Sequence, residues 1–466
     1  MTTAVEKTFW PQWLAGFTVS LAVLTASLAN GWASPFLAKL TSDDVDTSFK
    51  ITPDEGSWVA SLLSLGRVFG AVAGAICQGT IGRKKTMLVG ALPLTFGWVC
   101  MIFAKSVEYL YVARFCNGMG SGMIWGALSL YMGEIADPSI RGSLIFLNLN
   151  ASSMGSLLGN AIGPFLGLEE YGYVAVSLAA AFIIFFSWIP ESPYHYVLQG
   201  DLKRAEASLL WYKRHADAPK EIAELKEFMG NTNNDSESFR NKIKVFCKPN
   251  NAKNMAIVTM LNLFLYCGGH NVISSYSEII VRKSDIRIAP SIVVMALGVI
   301  MVIAGGVAMV FVDKCGRRPL LIYSSFGVCA SMVMLGIHFN LLAWQVDPHA
   351  IDWLPIVALV LYNFALPCGM LSMPNTLLGE LFPPTLKTIA SLTFTCTAAF
   401  ISFCAIRAFQ PVLDLVGERA IFFMIASAAL CVAPFTYFLV PETKGKTLIE
   451  IQENMGRKKE DIVTRL

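Results

Sequence analysis

Three charged motifs occur twice along this chain, in the same order, and this duplication constrains its fold more than any other feature. The pairs are Ile81–Lys85 with Cys315–Arg318, Glu134 and Arg141 with Glu380 and Lys387, and Pro190–Ser192 with Pro441–Thr443. The members of the pairs are 234, 246 and 251 residues apart, so the two copies keep their order with only small insertions. The sequence therefore predicts two halves of similar structure that repeat in the same direction.

The residues between these motifs are mostly apolar, which indicates a membrane protein. Hydrophobic residues make up 55% of the 466-residue chain, charged residues make up 15%, and the mean hydropathy is +0.55. A soluble domain carries about 25% charged residues. About 20 apolar residues cross a bilayer as a helix, and runs of this length predict twelve spans. They lie near residues 13–33, 57–80, 86–104, 109–133, 143–166, 172–190, 255–281, 289–312, 319–341, 353–379, 388–410 and 419–440.

Lysine and arginine place both termini on the cytoplasmic side. With these spans, 26 of the 36 basic residues fall on that side, seven fall on the opposite side, and Arg67, Arg114 and Arg407 lie within spans. Such an excess of basic residues marks cytoplasmic loops. The net charge of +3 therefore reflects topology and gives no indication of nucleic-acid binding. We expect a multi-pass protein of the plasma membrane.

The polar segments divide the chain into four parts. We expect an N-terminal bundle over residues 1–199, a cytoplasmic linker with short amphipathic helices over 200–254, a C-terminal bundle over 255–442 and a cytoplasmic tail over 443–466. The sequence offers no metal-ligand cluster, phosphate-binding loop or nucleophile–base pair, so it argues against an enzyme and predicts neither a cofactor nor a metal. The expected partners are the lipid bilayer and a small-molecule substrate, with the monomer as the functional unit.

Together the motifs resemble those of the sugar porter family of the major facilitator superfamily. The resemblance rests on Pro190–Pro193, Asp313–Arg318 and Pro441–Leu448, each at the predicted cytoplasmic end of a span, and it extends over essentially the whole chain. Gly31–Pro35 in the first span is similar to insect trehalose-transporter-like proteins. The resemblance implies an all-α integral membrane fold of twelve transmembrane helices in two pseudo-symmetric six-helix bundles.

Charged residues at the cytoplasmic ends of the spans are candidates for gating. Opposite charges there can pair across the interface between the halves while that side is closed and separate when it opens. Pairs worth about 1 kcal/mol each tune such an equilibrium without freezing it. The candidates are Arg83, Arg114, Glu134, Arg141, Glu191, Asp313, Arg317, Glu380, Lys387 and Glu442. The alternative is that they only mark topology. Gly79 stands where the family has an acid and Lys387 where it has arginine, so the pattern is incomplete.

A sugar site requires amides and hydroxyls for the sugar hydroxyls and an aromatic ring for the ring face. The resemblance implies such groups on several spans, and this chain keeps Asn271 and the aromatic Tyr276. The family's other site residues are replaced by Leu149, Leu265, Tyr266, Met301, Asn375 and Thr397. The candidate substrate-binding residues are Asn148, Tyr266, His270, Asn271, Tyr276, Asn375 and Thr397. Each lost hydrogen bond costs about 1–3 kcal/mol, so we expect weak or absent glucose transport.

Proton coupling is not expected, because residues 14–38 contain no aspartate, glutamate or histidine, and a proton-driven carrier needs a titratable group within a span. The first hypothesis is therefore a facilitative carrier of a small polar solute, a sugar by preference, that works by alternating access. Because most of the family's site residues are replaced, two alternatives stay open. One is a carrier of a non-sugar organic solute, which Arg67 would favour, and the other is a sensor or receptor that kept the scaffold without transport.

Overall fold

The computed structural model describes residues 8–42, 49–137, 139–214, 218–223, 244–382 and 386–442, with the side chains of 309–314 excepted. These residues are mostly helical, and none of those described forms a strand. The helices are α1 Trp10–Gly31, α2 Ala33–Thr41, α3 Pro53–Thr80, α4 Arg83–Ile102, α5 Val107–Ile135, α6 Arg141–Ile162, α7 Leu168–Ser187, α8 Pro193–Leu198, α9 Leu202–Tyr212, α10 Pro249–Cys267, α11 His270–Lys283, α12 Pro290–Cys315, α13 Arg317–Ala343, α14 Trp353–Cys368, α15 Met373–Leu381, α16 Lys387–Leu430 and α17 Val432–Leu439.

The helices coincide with the predicted spans. In the described part of the chain, nine helical stretches are long and apolar enough to cross a membrane. The last of them contains two predicted spans, because the backbone of α16 leaves the helical conformation at Gly417, where φ is 77°. Helices α5 and α6 cover the predicted spans 109–133 and 143–166. Every predicted span therefore corresponds to a helix.

Besides the one-residue break at Cys431 between α16 and α17 in the twelfth span, three spans are interrupted, which the apolar pattern did not indicate. The first ends at Gly31 and resumes at Ala33 as α2, although Trp32 between them keeps a helical φ of −61° and ψ of −37°. The seventh is broken at Gly268 and Gly269, and Gly269 has a φ of 88°, a left-handed conformation that favours glycine. The tenth is interrupted between α14 and α15. In membrane proteins, non-helical backbone is tolerated where it is buried in protein or lines a cavity, so these breaks are candidate positions for a site.

Residues 1–32 and 62–238 form one compact unit, called unit 1. Within it α1 packs chiefly on α6, and α4 packs on α5. Gly66 on α3 and Gly118 on α5 lie at a close approach, since a Cβ on either would overlap a backbone carbonyl of the other helix, that of Phe115 or Leu63. Small residues at four-residue spacing thus let two backbones touch, as they do between membrane helices generally.

Residues 33–61 and 239–466 form the second compact unit, called unit 2. Helix α2 and the first turns of α3 therefore pack with helices from the second half of the chain, and α2 lies mainly against α11. Helix α13 packs on α14 and α16. The apolar core of this unit includes Val258, Leu321 and Phe382, all shielded from solvent. This arrangement positions both ends of the broken seventh span.

Candidate functional site

Each unit contains a partly buried ion pair built from its charged motifs. In unit 1, Nη2 and Nε of Arg83 lie 2.9 and 3.0 Å from Oε1 of Glu134, and the hydroxyl of Ser192 donates to the other oxygen of that carboxylate. In unit 2, Nη2 and Nε of Arg317 lie 2.7 and 3.2 Å from Oε1 of Glu380. The motifs predicted as duplicates thus form equivalent pairs, and each of these pairs lies inside one unit, whereas pairing across the halves was predicted.

A second carboxylate in each unit caps the helix that begins with the motif arginine. The backbone N–H of Lys84 donates to both oxygens of Glu191, at 2.9 and 3.1 Å. The backbone N–H groups of Arg317 and Arg318 donate to Glu442, at 3.1 and 3.0 Å. The first N–H groups of a helix have no intrahelical acceptor, and the helix dipole favours an anion there. The glutamates therefore hold the starts of α4 and α13.

The glycine before each motif arginine adopts a backbone conformation with positive φ. Gly82 has a φ of 98° and Gly316 a φ of 87°, a region that other residues rarely adopt. A Cβ at Gly82 would lie 2.5 Å from Oε2 of Glu191, and one at Gly316 would lie 3.1 Å from Oε2 of Glu442. The glycines thus supply both the turn and the space for the capping carboxylates.

The structure does not bring the remaining gating candidates into these clusters. Arg141 and Lys387 are exposed at the starts of α6 and α16, and neither forms an ion pair with a described residue. Arg114 lies in the second turn of α5, about 30 Å along the helix from Glu134 at 1.5 Å per residue. The side chain of Asp313 lies outside those that the structure describes. A gating role for these residues remains a prediction.

Arg114 instead supports the interruption of the first span. Its guanidinium is buried, donates to the backbone carbonyl of Ala29 and lies 5.2 Å from the ring of Trp32. The hydroxyl of Tyr171 donates to the neighbouring carbonyl of Leu28, at 3.0 Å. The carbonyl of Leu28 also accepts from the backbone N–H of Trp32 at 2.8 Å, so Tyr171 adds a second donor there and Arg114 supplies a donor to Ala29 near the end of α1.

Arg67 lies beside the same interruption. Its Nη2 donates to Oδ1 of Asn30 at 2.7 Å, and its Nε donates to the hydroxyl of Ser121 at 3.4 Å. The side chain is only partly buried. Unit 1 therefore presents a guanidinium and a hydrogen-bonded amide next to a helix break, an arrangement suited to a polar or anionic group.

Side chains from neighbouring helices also support the other two interruptions. The hydroxyl of Tyr362 on α14 donates to the carbonyl of Gly268, at 3.0 Å. The hydroxyl of Ser324 on α13 donates to the carbonyl of Ala365 at 2.8 Å and accepts from the backbone N–H of Met370 at 3.0 Å. These bonds replace the helical ones that the breaks remove, so the breaks are stable parts of the fold.

Four predicted substrate-binding residues lie beside the breaks in unit 2. Asn271, in the first turn of α11, donates its amide N–H to the hydroxyl of Ser402. The rings of Tyr266 and His270 lie on the two sides of the seventh-span break, with centroids 6.2 Å apart. Asn375 is exposed near the start of α15. Amide, hydroxyl and aromatic groups are therefore available at these two breaks.

Two other predicted residues use their polar groups within the protein. Asn148 is fully buried in unit 1, donates to the carbonyl of Leu144 at 2.8 Å and accepts from the hydroxyl of Ser20 at 3.4 Å. The hydroxyl of Thr397 donates to the carbonyl of Thr393 at 2.8 Å. The side chains of Asn148 and Thr397 thus have hydrogen-bond partners without a solute. Asn271 and Asn375 are therefore the stronger candidates for substrate binding.

Tyr276 lies apart from these residues, in a cavity of about 190 Å³ within unit 2. Its ring packs on Phe409 with centroids 5.1 Å apart, and Leu37, Thr41 and Gly56 from the chain's first half also line the cavity. Tyr276, predicted as a substrate-binding residue, thus shares this cavity with residues of the segment 33–61.

Sequence reasoning missed the ionic contacts at this end of unit 2. Arg407 lies 2.8 Å from Asp54 and 4.8 Å from the ring of Trp58, and Lys283 pairs with Glu418. Glu278 was also missed, because the prediction of uncoupled transport rests on the first span alone. The signal was available, since Glu278 falls inside the predicted span 255–281 and an acid within a span is a functional candidate.

The family model described as "Sugar (and other) transporter" matches residues 14–455. The "Facilitated trehalose transporter Tret1" of Drosophila virilis is 29% identical over 96% of this chain, and "Trehalose transporter 1" of Drosophila melanogaster is 28% identical over the same share. The chain spans 49% and 52% of the length of these two relatives.

Two solved structures show the same fold. The inward-open xylose transporter XylE from E. coli has a TM-score of 0.76 at 21% identity, with 95% of this chain and 99% of that chain covered. A D-xylose-proton symporter has a TM-score of 0.72 at 18% identity, with 94% and 100% covered. The predicted fold class, an all-α membrane protein of the major facilitator type, is confirmed.

Proposed function

The chain belongs to the Sugar (and other) transporter family, and we propose that it carries a small polar solute, a sugar, by facilitated diffusion through alternating access. As a member of this family it is a transporter and not an enzyme. The observation that carries the proposal is the pair of supported helix breaks in unit 2, which present Tyr266, His270, Asn271 and Asn375. Interrupted helices form the binding sites of several transporter folds.

The chemistry of these four residues suits a hydroxylated solute. Two amides can donate to and accept from sugar hydroxyls, and the rings of Tyr266 and His270 can cover an apolar ring face. The bond from Asn271 to Ser402 keeps the amide oriented while its carbonyl oxygen remains an acceptor. The names of the relatives make trehalose the first sugar to test.

We propose that the carrier lies in the plasma membrane with cytoplasmic termini, and that it does not accumulate solute at the expense of a proton gradient. The first span has no titratable residue over 14–38, and this supports facilitated transport. The paired carboxylates and arginines of each unit supply the charges that would stabilise one closed state.

A second candidate is a carrier of a non-sugar, anionic solute. The observation in its favour is Arg67, whose guanidinium bonds Asn30 and Ser121 beside the first-span break. A carboxylate could bind both the guanidinium and the amide there.

Uptake into liposomes that contain the full chain tests these proposals. We expect saturable uptake of trehalose that stops at equal concentrations on both sides, with weak or absent uptake of glucose. Gluconate transported in place of trehalose would favour the anionic candidate, and no uptake of any panel member would favour a sensor. Accumulation driven by an imposed pH gradient would contradict facilitated transport.

Substitution of the two amides tests the site itself. N271A and N375A should each raise the apparent Michaelis constant for trehalose about tenfold, which corresponds to one buried hydrogen bond of about 1.4 kcal/mol. N340A is the matched control, because Asn340 bonds only the carbonyl of Gly336 on its own helix among its described contacts, at 2.9 Å. Unchanged kinetics in both site variants would place the site elsewhere.

A further inference from the structure

Helices α2 and α11 contact each other in unit 2 around one buried carboxyl group. The backbone N–H of Glu278 on α11 donates to the hydroxyl of Ser34 on α2, at 3.0 Å. The side chain of Glu278 is 7% exposed, whereas that of Asp54, in the ion pair with Arg407 at the same end, is 61% exposed. Glu278 is therefore the carboxyl that the contact between α2 and α11 removes from water.

The surroundings of Glu278 do not match those of a stable carboxylate. Its Oε2 is buried and has no hydrogen-bond partner among the described residues. Its Oε1 forms one long ion pair, 3.7 Å from Nη2 of Arg282 and beyond hydrogen-bond distance. A buried carboxylate with an unsatisfied oxygen is costly, and a proton removes the charge. The geometry thus favours a neutral carboxylic acid.

A cation close to Glu278 could stabilise its ionised form in place of a proton, so the charged groups around α11 matter here. Lys39 on α2 and Arg282 on α11 are the cations that favour its ionised form. On α16, Arg407 and Glu418 are bound to Asp54 and Lys283. The other charged residues of the helices packed on α11, at this end and among those described, are Glu55, Asp414 and Arg419, all outside hydrogen-bond contact with Glu278. Helix α10 carries its one basic residue, Lys253, in its first turn, and residues 290–308 of α12 carry no charge.

We propose that Glu278 is a proton-binding site, occupied when α2 packs on α11 and vacated when the two helices separate. On packing, one carboxylate oxygen takes a proton from a hydronium ion, which leaves water. On separation, water accepts the proton again. Since the proton is taken up and released where this one contact opens, the cycle needs no net proton transport. The inference goes beyond the proposed function and is compatible with it.

The sign of the pH effect follows directly. Acid supplies the form of Glu278 that the packed contact accommodates, so low pH stabilises the contact between α2 and α11. Rising pH favours the ionised form, which hydration stabilises, so the helices separate more often. The amides of α2 should therefore exchange faster at high pH than the intrinsic rate alone accounts for.

Hydrogen–deuterium exchange of the full chain in lipid nanodiscs tests this without any solute. Between about pH 5 and about pH 9, a range that includes the values found for buried glutamates, wild-type protection of residues 33–41 should fall about tenfold after correction for intrinsic rates. E278Q should show the same high protection throughout. D54N, the matched control with an exposed carboxylate, should lower protection but keep the wild-type pH response.

A pH response in E278Q equal to that of the wild type would overturn the proposal, as would wild-type protection that does not change with pH. Infrared spectroscopy gives a second readout that does not depend on helix motion. At neutral pH the wild type should show a carboxylic-acid carbonyl band that E278Q lacks. If E278Q does not fold, E278D keeps the titratable group and should retain a pH response with a displaced midpoint. Loss of that response in a folded E278D would also contradict the proposal.

Discussion

The charged clusters of the two units share one design but differ in how deeply they are buried. Each consists of an arginine paired with a glutamate, and of a second glutamate that caps the helix beginning with that arginine. In unit 1 the side chain of Glu134 is 11% exposed, and in unit 2 that of Glu380 is 24% exposed. Glu191 is buried, whereas Glu442 is half-buried.

The difference comes from the linker helices, which are packed onto the cluster of unit 1. The hydroxyl of Ser208 on α9 donates to the backbone carbonyl of Glu191. The hydroxyl of Tyr212 donates to the carbonyl of Pro190 at 2.7 Å and lies 2.6 Å from the hydroxyl of Tyr131. The chain after Glu442 lies outside the described residues. The two copies of the motif thus share their backbone geometry. The residues packed around each copy determine how much stability is lost when the cluster is disrupted.

The largest expected effect is on stability, after removal of the two capping carboxylates. E191A should lower the free energy of unfolding by about 3 kcal/mol, because it leaves the buried N–H of Ser192 and the partly buried N–H groups of Lys84 and Lys85 without an acceptor. E442A should cost about 1 kcal/mol, the usual value of a helix cap. Thermal unfolding of the purified proteins in one detergent measures both.

The ranking of the two variants is the sensitive part of this test. Equal losses would mean that the linker helices do not strengthen the first cluster. A larger loss in E442A would reverse the comparison. E206A, a change at an exposed position of α9, should leave the melting temperature unchanged.

A smaller effect is expected on transport, through the ion pairs. E380Q should slow trehalose exchange about fivefold at normal expression, because a partly exposed pair contributes about 1 kcal/mol to a closed state. E134Q should slow it more, since Glu134 is the more buried of the two carboxylates, 11% exposed against 24% for Glu380. R141A should slow it less than either, because Arg141 is exposed and outside the pair. Unchanged exchange in all three would leave these residues as topology markers.

Much of the fold could be predicted because its signals are local. Span length depends on apolar runs, and the repeated Gly-Arg steps at 82–83 and 316–317 specify the same turn wherever they occur. The helix breaks could not be predicted, because their stability depends on residues far along the chain. Gly268 is bound by Tyr362, and the tenth-span break is bridged by Ser324.

The candidate site was predictable only in part for the same reason. Asn271 stood out as an amide in an apolar span, and it does lie beside a break. Arg114 was grouped with the gating candidates, but its position is decided by the carbonyl of Ala29, 85 residues away. Asn148 appeared available until its bond to Ser20 was known. Residue type indicates what a side chain can bind, and only packing shows what it already binds.

The smallest expected effect is a pH dependence confined to the first cluster. His195 on α8 is buried outside the membrane helices, and a Cβ at Gly82 would lie 2.9 Å from its ring. Burial lowers the pKa of His195 below its usual value, and the charge of Glu191 opposes this shift. The folded state therefore prefers neutral histidine, so this stability is present above the unfolded pKa and is lost as the pH falls through the folded one.

Acidification from about pH 7.5 to about pH 5 should thus lower the melting temperature of the wild type by about 1 °C, for a loss of about 1 kcal/mol or less. H195Q removes the titrating ring, so the part of the loss that belongs to His195 should disappear in this variant. E442A, in which the second cluster is weakened, should keep the full wild-type loss, because His195 belongs to unit 1. A pH response that survives in H195Q and vanishes in E442A would assign the sensitivity to the second cluster, and the contrast in burial between the units would then not govern their response to acid.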